Sequence, residues 1–376
     1  MTLQIVVDGS VFHLQPYGGV SNIYNETLPR ICDIGTDVLV YLVLQPQLVS
    51  RKIPEHSHIK RISIPPLYTL KPWRIWRYFT SPSLHLFYKK QVINFHVGHI
   101  KKTIYHSTYY ETIPDWHGPQ VVSVYDLIYE KFFDFFSENI GPEMKKKAEA
   151  IQSADWLLCI SESTRNDLIE HYGINHDKTQ VIHLGHHPIY SRRSVPGVIK
   201  IDYPFILYVG TRGKYKGFGD LVDAYARWEQ KDKIRLLVAG PDWRTEETKR
   251  FRELNLVKNI VLMPNITDDM LADLYNQALA FIYPSYYEGF GIPLLEAMAC
   301  GCPVVASKIP TSLEVAQSIP FYFDCGNLDS MINALDQAIS TTKDSNRIAQ
   351  GLDRSQQFSW DKTAAETLGF YRKISI

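Results

Sequence analysis

The feature that most constrains this chain is a rhythm in its second half, where short unbroken apolar runs alternate with longer stretches whose apolar residues recur every three or four positions. Runs at 205–209, 234–239, 260–263, 280–283 and 304–306 are separated by stripes such as Phe218, Leu221, Val222 and Tyr225, or Met270, Leu271, Leu274, Tyr275 and Ala278. A strand that is apolar at every position is buried on both faces. The pattern therefore predicts a parallel sheet covered by helices on both sides, with functional loops at the carboxyl ends of the strands. The first half opens in the same way, with a strand over 3–7 and a loop holding Gly18 and Gly19. A helical stripe of Val20, Ile23, Tyr24, Thr27, Leu28 and Ile31 follows. The expected fold class is α/β, with two doubly wound, Rossmann-like parallel-sheet domains. The expected boundaries are 1–190 for the first domain and 205–355 for the second. The linker is placed at 191–204, where two prolines, a glycine and a loss of periodicity coincide, and a closing helix over 356–376 is free to return to the first domain.

The chain has 376 residues, enough for two such domains. Its longest apolar runs, 38–44 and 205–210, fall far short of the roughly 18 to 20 residues that span a bilayer. The opening residues show no basic segment followed by an apolar one, so a cytoplasmic address is expected. Five cysteines without a C-x-x-C pair argue against a disulfide framework or a zinc knuckle and read as buried small hydrophobes. The formal net charge is zero, yet residues 51–110 carry eleven basic side chains against one acidic one, Glu55. That block, interleaved with Trp73, Trp76, Tyr78, Phe79 and Phe87, suggests peripheral docking on an anionic membrane. A solvated face and an acceptor groove are the alternatives, and no nucleic acid is expected.

The stretch 284–303 (PSYYEGFGIPLLEAMACGCP) carries the most chemistry. It follows the run 280–283, so its first half is the loop at that strand's carboxyl end. Pro293 suits the first helical position and Gly301 the position just past the end, which predicts a helix over 293–300. Gly289 and Gly291 let the backbone of the turn, with Phe290 between them, approach a ligand, and the helix start offers free N–H groups to a phosphate. Glu288 before the turn and Glu296 inside the helix are hydrogen-bond acceptors that suit a ligand with hydroxyls at both ends and a diphosphate between. At 208–218 (YVGTRGKYKGF), Arg212, Lys214 and Lys216 crowd a glycine-rich turn before another helix, where cations can hold phosphates. Neither G-x-x-x-x-G-K-[ST] nor a strand-linked G-x-G-x-x-G occurs, which disfavours a P-loop enzyme and a nicotinamide oxidoreductase.

With these residues in view, the segment 284–307, with its E-x₇-E pair Glu288 and Glu296, resembles the donor-site signature of the family 4 retaining glycosyltransferases of GT-B fold, also called group 1. The turn at 209–218 is similar to that family's arginine and lysine turn, and weaker likeness runs through 105–110, 121–130, 159–168, 181–187, 312–316 and 358–360. The resemblance implies two domains facing a cleft. A nucleotide-sugar donor would lie mainly on the second domain and a glycan acceptor, lipid-linked in the leading guess, on the first. It implies that Glu296 holds the ribose, Glu288 the sugar hydroxyls, and Gly289, Phe290 and Gly291 the sugar and diphosphate through backbone N–H groups. Arg212 and Lys216 would neutralise the leaving diphosphate, which Gly19 approaches from the other domain. Asp126 would sit on the acceptor side and orient the reacting sugar, and His106 would do likewise, with a structural histidine at the end of a strand as its favoured alternative. Many members have His-Asp where this chain has Tyr125-Asp126, so no histidine role transfers there.

No Asp-x-Asp is present to hold a metal ion against a diphosphate. The expected chemistry is therefore metal-independent, and the resemblance implies front-face transfer with retention and no separate cofactor, since the nucleotide-sugar is a substrate. The resemblance points to hexosyl transfer in surface polysaccharide assembly. It leans towards mannose and leaves GDP-mannose, UDP-hexoses, UDP-N-acetylhexosamines and dTDP-rhamnose open as donors. A non-catalytic glycan-binding or membrane-scaffold protein of the same fold is the alternative.

Overall fold

The computed structural model describes residues 2–15, 18–44, 53–64, 82–98, 103–136 and 140–375, with only the backbone described at 82–84. The chain divides into two compact units. Unit 1 comprises Met1–Glu130, Phe136–Leu184 and Trp360–Ile376, and unit 2 comprises Lys131–Phe135 and Gly185–Ser359.

Unit 1 holds a seven-stranded sheet made of β1 (Leu3–Asp8), β2 (Val38–Leu44), β3 (Ile59–Ser63), β4 (Ile104–Ser107), β5 (Gln120–Val124), β6 (Trp156–Cys159) and β7 (Thr179–Val181). Its order is β3-β2-β1-β4-β5-β6-β7 and every pairing is parallel. Unit 2 holds β8 (Phe205–Val209), β9 (Arg235–Ala239), β10 (Ile260–Met263), β11 (Ala280–Tyr283), β12 (Val304–Ser307) and β13 (Phe321–Phe323). Its order is β10-β9-β8-β11-β12-β13, again all parallel. Each sheet is doubly wound. The chain proceeds outward to one side, then returns and proceeds to the other, so the order reverses between β1 and β4 in unit 1 and between β8 and β11 in unit 2. Ligands of such sheets bind in the crevice outside the carboxyl ends of the strands at that reversal.

The apolar runs become the central strands because both faces are covered. Ile206, Leu207, Leu236, Leu237, Phe281 and Ile282 have no accessible surface. The helix Phe218–Arg227 turns Phe218, Leu221, Val222 and Tyr225 into this core. Burial of each such side chain contributes about 1.5–3 kcal/mol. Trp228, just past the helix, is 1% exposed and donates its indole N–H to Asp336 at 2.7 Å. The edge strands β3, β7 and β13 escape the periodic reading because an edge buries few residues; in β3 only Ile62 is buried.

The chain passes from unit 1 to unit 2 between Leu184 and Gly185. The segment expected to be a linker, 191–204, is instead strapped to unit 2. The carboxylate of Asp273, wholly buried, accepts hydrogen bonds from the backbone N–H groups of Gly197, Val198 and Ile199 and from Arg193. Burial alone would raise its pKa, but these donors outweigh it and hold the group at about 2. The helix Trp360–Ile374 belongs to unit 1, where it packs along the helix Gly19–Ile34.

Much of the basic block, including Lys71, Arg74, Arg77, Trp73, Trp76, Tyr78 and Phe79, lies outside the described residues. Lys90 and Phe87 are partly or well exposed, but Lys89 corrects the expectation. Only 5% exposed, it is paired with Asp8 and Glu111 inside unit 1 and is unavailable to a membrane.

Candidate functional site

The reversal in unit 2 brings together the two loops singled out from the sequence. After β8 the chain passes Gly210, at φ +124°, and forms a single turn over Lys214–Lys216. Gly217, at φ +64°, then starts the helix Phe218–Arg227. After β11 it runs through 284–291 into the helix Ile292–Ala299. The loops touch closely. Tyr286 N–H donates to Tyr215 O at 2.8 Å, and a Cβ on Gly217 would lie 2.0 Å from Pro284 O, so only glycine fits there.

Lys216 bridges the reversal, with its ammonium 2.7 and 2.9 Å from the two carboxylate oxygens of Glu288. The two side chains are 22% and 13% exposed, so the pair lies at the surface of its crevice. The Tyr283 hydroxyl also bonds Glu288, and Thr311 donates to Glu288 O at 2.7 Å, which fixes the loop from both sides. Gly291, at φ +110°, caps the helix Ile292–Ala299. The Phe290 ring is buried and meets Phe358 edge-on at 5.9 Å, so this residue fronts the turn through its backbone.

Glu296 lies one turn inside the helix, and its carboxylate accepts from the Tyr275 hydroxyl at 3.1 Å and from Tyr190. Burial pushes its pKa up to about 8, and the two tyrosine hydrogen bonds only partly offset the shift. Without a ligand, this carboxyl is therefore largely protonated at neutral pH. New hydroxyl donors from a ligand would pull it back towards the ionised form.

Arg212 does not join this cluster. Its side chain is 1% exposed and its guanidinium is engaged by Glu247 at 2.8 and 3.1 Å, Pro241 O at 2.8 Å and Asp242 O at 2.7 Å. It lies 4.7 Å from the centre of the Trp243 ring and holds the loop after β8 against the helix Thr245–Glu253. Position in a glycine-rich turn signalled a phosphate ligand, but the nearby Glu247 and Trp243 turn the side chain inward.

The remaining expected residues belong to unit 1. Gly19 opens the helix Gly19–Ile34, with open space where a Cβ would project. Asp126, after β5, accepts from Ile128 N–H at 3.2 Å through its carboxylate, and its carbonyl accepts from Lys147 at 2.7 Å. His106 follows its structural alternative, which corrects its placement on the acceptor side. It is 2% exposed, with Nδ1 against the Tyr371 hydroxyl and Nε2 2.8 Å from Ser123 Oγ. Burial drives its pKa down to about 3, so it is a neutral core residue rather than an acceptor ligand. Tyr125 joins the same interior network through Tyr24 at 2.7 Å. Reading from sequence missed the tyrosines around Glu296 and Glu288, because helical spacing marks Tyr275 only as a core residue.

Two family descriptions match the chain: Glycosyltransferase Family 4 over residues 17–188 and Glycosyl transferases group 1 over 194–352. The O-antigen chain mannosyltransferase B of Escherichia coli is 29% identical over 244 residues, a match covering 61% of this chain and 64% of that protein. The chain thus spans just under two thirds of that relative's length. Among solved structures, sucrose-phosphate synthase from Thermosynechococcus elongatus superposes with a TM-score of 0.73 at 20% identity, covering 99% of this chain and 98% of that one. HepE of Anabaena, solved in complex with UDP, gives 0.70 at 16% identity, covering 99% and 100%.

Proposed function

The chain belongs to the family 4, group 1 glycosyltransferases and has the GT-B fold, and on that premise we propose that it transfers a hexose from a nucleotide-sugar to a glycan acceptor with retention of configuration. The observation that carries this reading is the Lys216–Glu288 pair across the strand-order reversal of unit 2, with Glu296 one helical turn further on. Lys216 supplies the fixed cation for the diphosphate, since Arg212 is consumed by Glu247 and acts as a positioning residue for the loop. When a diphosphate takes over Lys216, Glu288 is released to accept from the donor sugar's hydroxyls. Gly289, Phe290 and Gly291 offer backbone N–H groups, and Glu296 accepts from the ribose. A cation already in place where charge grows in the transition state stabilises it without reorganisation. The leaving phosphate oxygen takes the acceptor hydroxyl's proton in front-face transfer. In unit 1, Asp126 orients the acceptor.

The likeness to an O-antigen mannosyltransferase favours mannose as the sugar and surface polysaccharide as the product. The test is a panel of GDP-mannose, UDP-glucose, UDP-N-acetylglucosamine and dTDP-rhamnose, read by thermal stabilisation and by release of nucleoside diphosphate. Stabilisation without turnover for every donor and acceptor tried would favour a glycan-binding role, and no response to any nucleotide would remove the donor site.

Docking on an anionic membrane, at the cytoplasmic face, is a second reading. It is supported by Phe87 and Phe95, which are 59% and 86% exposed at i, i+8 on the helix Pro82–Val97, and by the basic excess of 51–110. No helix among the described residues is long and apolar enough to cross a membrane. Sedimentation with anionic and neutral vesicles tests it. Binding should require anionic lipid, weaken with salt and fall on Phe95→Ser.

A further inference from the structure

Glu296 is flanked by a hydroxyl to which the donor chemistry above gives no task. Tyr190 lies just past the crossover into unit 2 and is 4% exposed. Its backbone is stapled to the helix Asp268–Gln277. The side-chain amide of Asn276 donates to Ser191 O at 2.9 Å and accepts from Arg193 N–H at 2.7 Å. Tyr190 N–H closes a turn on His187 O at 3.1 Å, and its ring meets that of Tyr275 edge-on with centres 6.1 Å apart. One helix thus sets the places of Tyr275, Asp268 and Tyr190 around Glu296.

A phenol has a single proton to donate. The Tyr190 hydroxyl gives it to Asp268 Oδ1 at 2.9 Å, yet it also bonds Glu296 in a way that favours the ionised carboxylate. The two claimants differ in solvation. Asp268 is exposed, so water can replace the phenol there, whereas Glu296 is partly buried and its charged form is penalised by desolvation. An ionised Glu296 therefore gains more from the proton than Asp268 loses. The charge of Asp268 opposes ionisation of Glu296, and Cys300, beyond the end of its helix, is held as a neutral thiol by burial. The helices Pro310–Ala316 and Asn346–Ser355 also pack on that helix, but Arg347 and Arg354 are directed to backbone carbonyls of 318–320 and 314–315.

We propose that Tyr190 is a positioning residue for the nucleotide's ribose: when ribose hydroxyls engage Glu296, the Tyr190 hydroxyl turns about its C–O bond from Asp268 to that carboxylate, while Tyr275 holds it in place. No covalent bond of the phenol breaks. Water takes the vacated place on Asp268, and the proton that a neutral Glu296 carries goes to solvent. Asp268 is then a competitor that keeps the ligand-free site less ready. The ligand rests on the nucleotide-sugar reading, whereas the contest for one proton rests on the geometry of Tyr190.

Calorimetry on the full chain tests the assignment between pH 6 and 9, with UDP, GDP and the analogue of each that lacks both ribose hydroxyls. Tyr190→Phe keeps the ring and should weaken binding of UDP or GDP roughly tenfold at neutral pH, the scale of a hydrogen bond to a charged group. It should also move the rise in affinity to higher pH, because a donor that favours the ionised carboxyl is gone. Asp268→Asn should do the opposite, strengthening binding severalfold and moving the rise to lower pH. That gain should shrink in the double variant, where only the loss of a nearby charge remains. The analogues should bind all four chains alike. Asp268→Asn alters an exposed residue and keeps the test alive if Tyr190→Phe does not fold, since no gain in affinity from it overturns the proposal. Equal affinity and pH profile in the unaltered chain and Tyr190→Phe, an undiminished gain in the double variant, or equal losses for the analogues overturn the proposal and leave the donor site standing. Binding of no nucleoside diphosphate at all overturns it together with the nucleotide-sugar reading.

Discussion

Lys216 in unit 2 and Lys89 in unit 1 stand at comparable places, each reaching a glutamate that follows a strand bordering its sheet's reversal. Lys216 comes from a one-turn loop and shares a surface crevice with Glu288, the two side chains being 22% and 13% exposed. Lys89 comes from a long helix and is held between two carboxylates, its own side chain 6% exposed and that of Asp8 3%. The difference lies in what a ligand can displace. On the proposed reading a diphosphate takes over Lys216, which is 22% exposed, and frees Glu288 at a crevice surface where water can solvate the released carboxylate. No ligand extracts Lys89 without leaving two buried carboxylates unpaired. One lysine is suited to change partners and the other to hold its partners still.

The sharpest attempt to break this comparison is Lys216→Ala. It should lower sugar transfer by about 10² to 10⁴, the range seen when a fixed electrostatic stabiliser is removed, while urea unfolding stays close to that of the unaltered chain. A loss of less than tenfold in steady-state turnover would remove Lys216 from the diphosphate site. Lys89→Met should behave in the opposite way. Breaking a buried charge cluster should cost about 3–5 kcal/mol of unfolding free energy, measured by urea titration. Arg212→Ala should resemble Lys89→Met in stability, since its guanidinium is buried on Glu247 and Trp243.

Glu296 gives a smaller, pH-dependent effect. Its pKa is near 8 in the folded protein and close to the ordinary carboxylate value when unfolded. The folded state therefore binds the extra proton between those values, and the stability contributed by this group falls as pH rises from about 4.5 through 8. Glu296→Gln should melt higher than the unaltered chain at pH 9, and the gap should close towards pH 4.5. Because ribose hydroxyls favour the ionised carboxylate, affinity for UDP or GDP, whichever binds, should rise between pH 6 and 9 in the unaltered chain and be flat in the variant. The smallest expected effect is none at all. Transfer measured in excess EDTA should equal that in its absence, and rescue of a lost activity by Mg²⁺ or Mn²⁺ would sink the metal-independent mechanism.

The central strands of both sheets were legible because a parallel strand covered on both faces must be apolar throughout, as 205–209 and 280–283 are. The turn and helix at 284–300 were legible from Gly291, Pro293 and Gly301, whose backbone constraints are local. What could not be read was direction. Arg212 and Lys216 are four residues apart in one basic turn, and only tertiary partners decide that the first turns inward to Glu247 and the second outward to Glu288. Lys89 reads as part of a basic surface block because Asp8 and Glu111, which bury it, lie 81 and 22 residues away. The strapping of 191–204 was hidden for the same reason, since the anchor is Asp273, inside an otherwise ordinary amphipathic helix.

Unit 1 is built from the two ends of the chain, and that sets an order for synthesis on the ribosome. The helix Gly19–Ile34 is made before unit 2, but the helix that covers it, with Trp360, Ala364, Leu368 and Tyr371 buried, is translated only after Ser359. At about 5–20 residues per second, the gap is on the order of tens of seconds. All of unit 2 but the short 131–135 piece is contiguous from Gly185 to Ser359 and emerges whole within that gap. The later unit is thus the first able to finish folding. The nascent N-terminal sheet waits with one helix uncovered, which makes that face the natural client surface for a chaperone during synthesis.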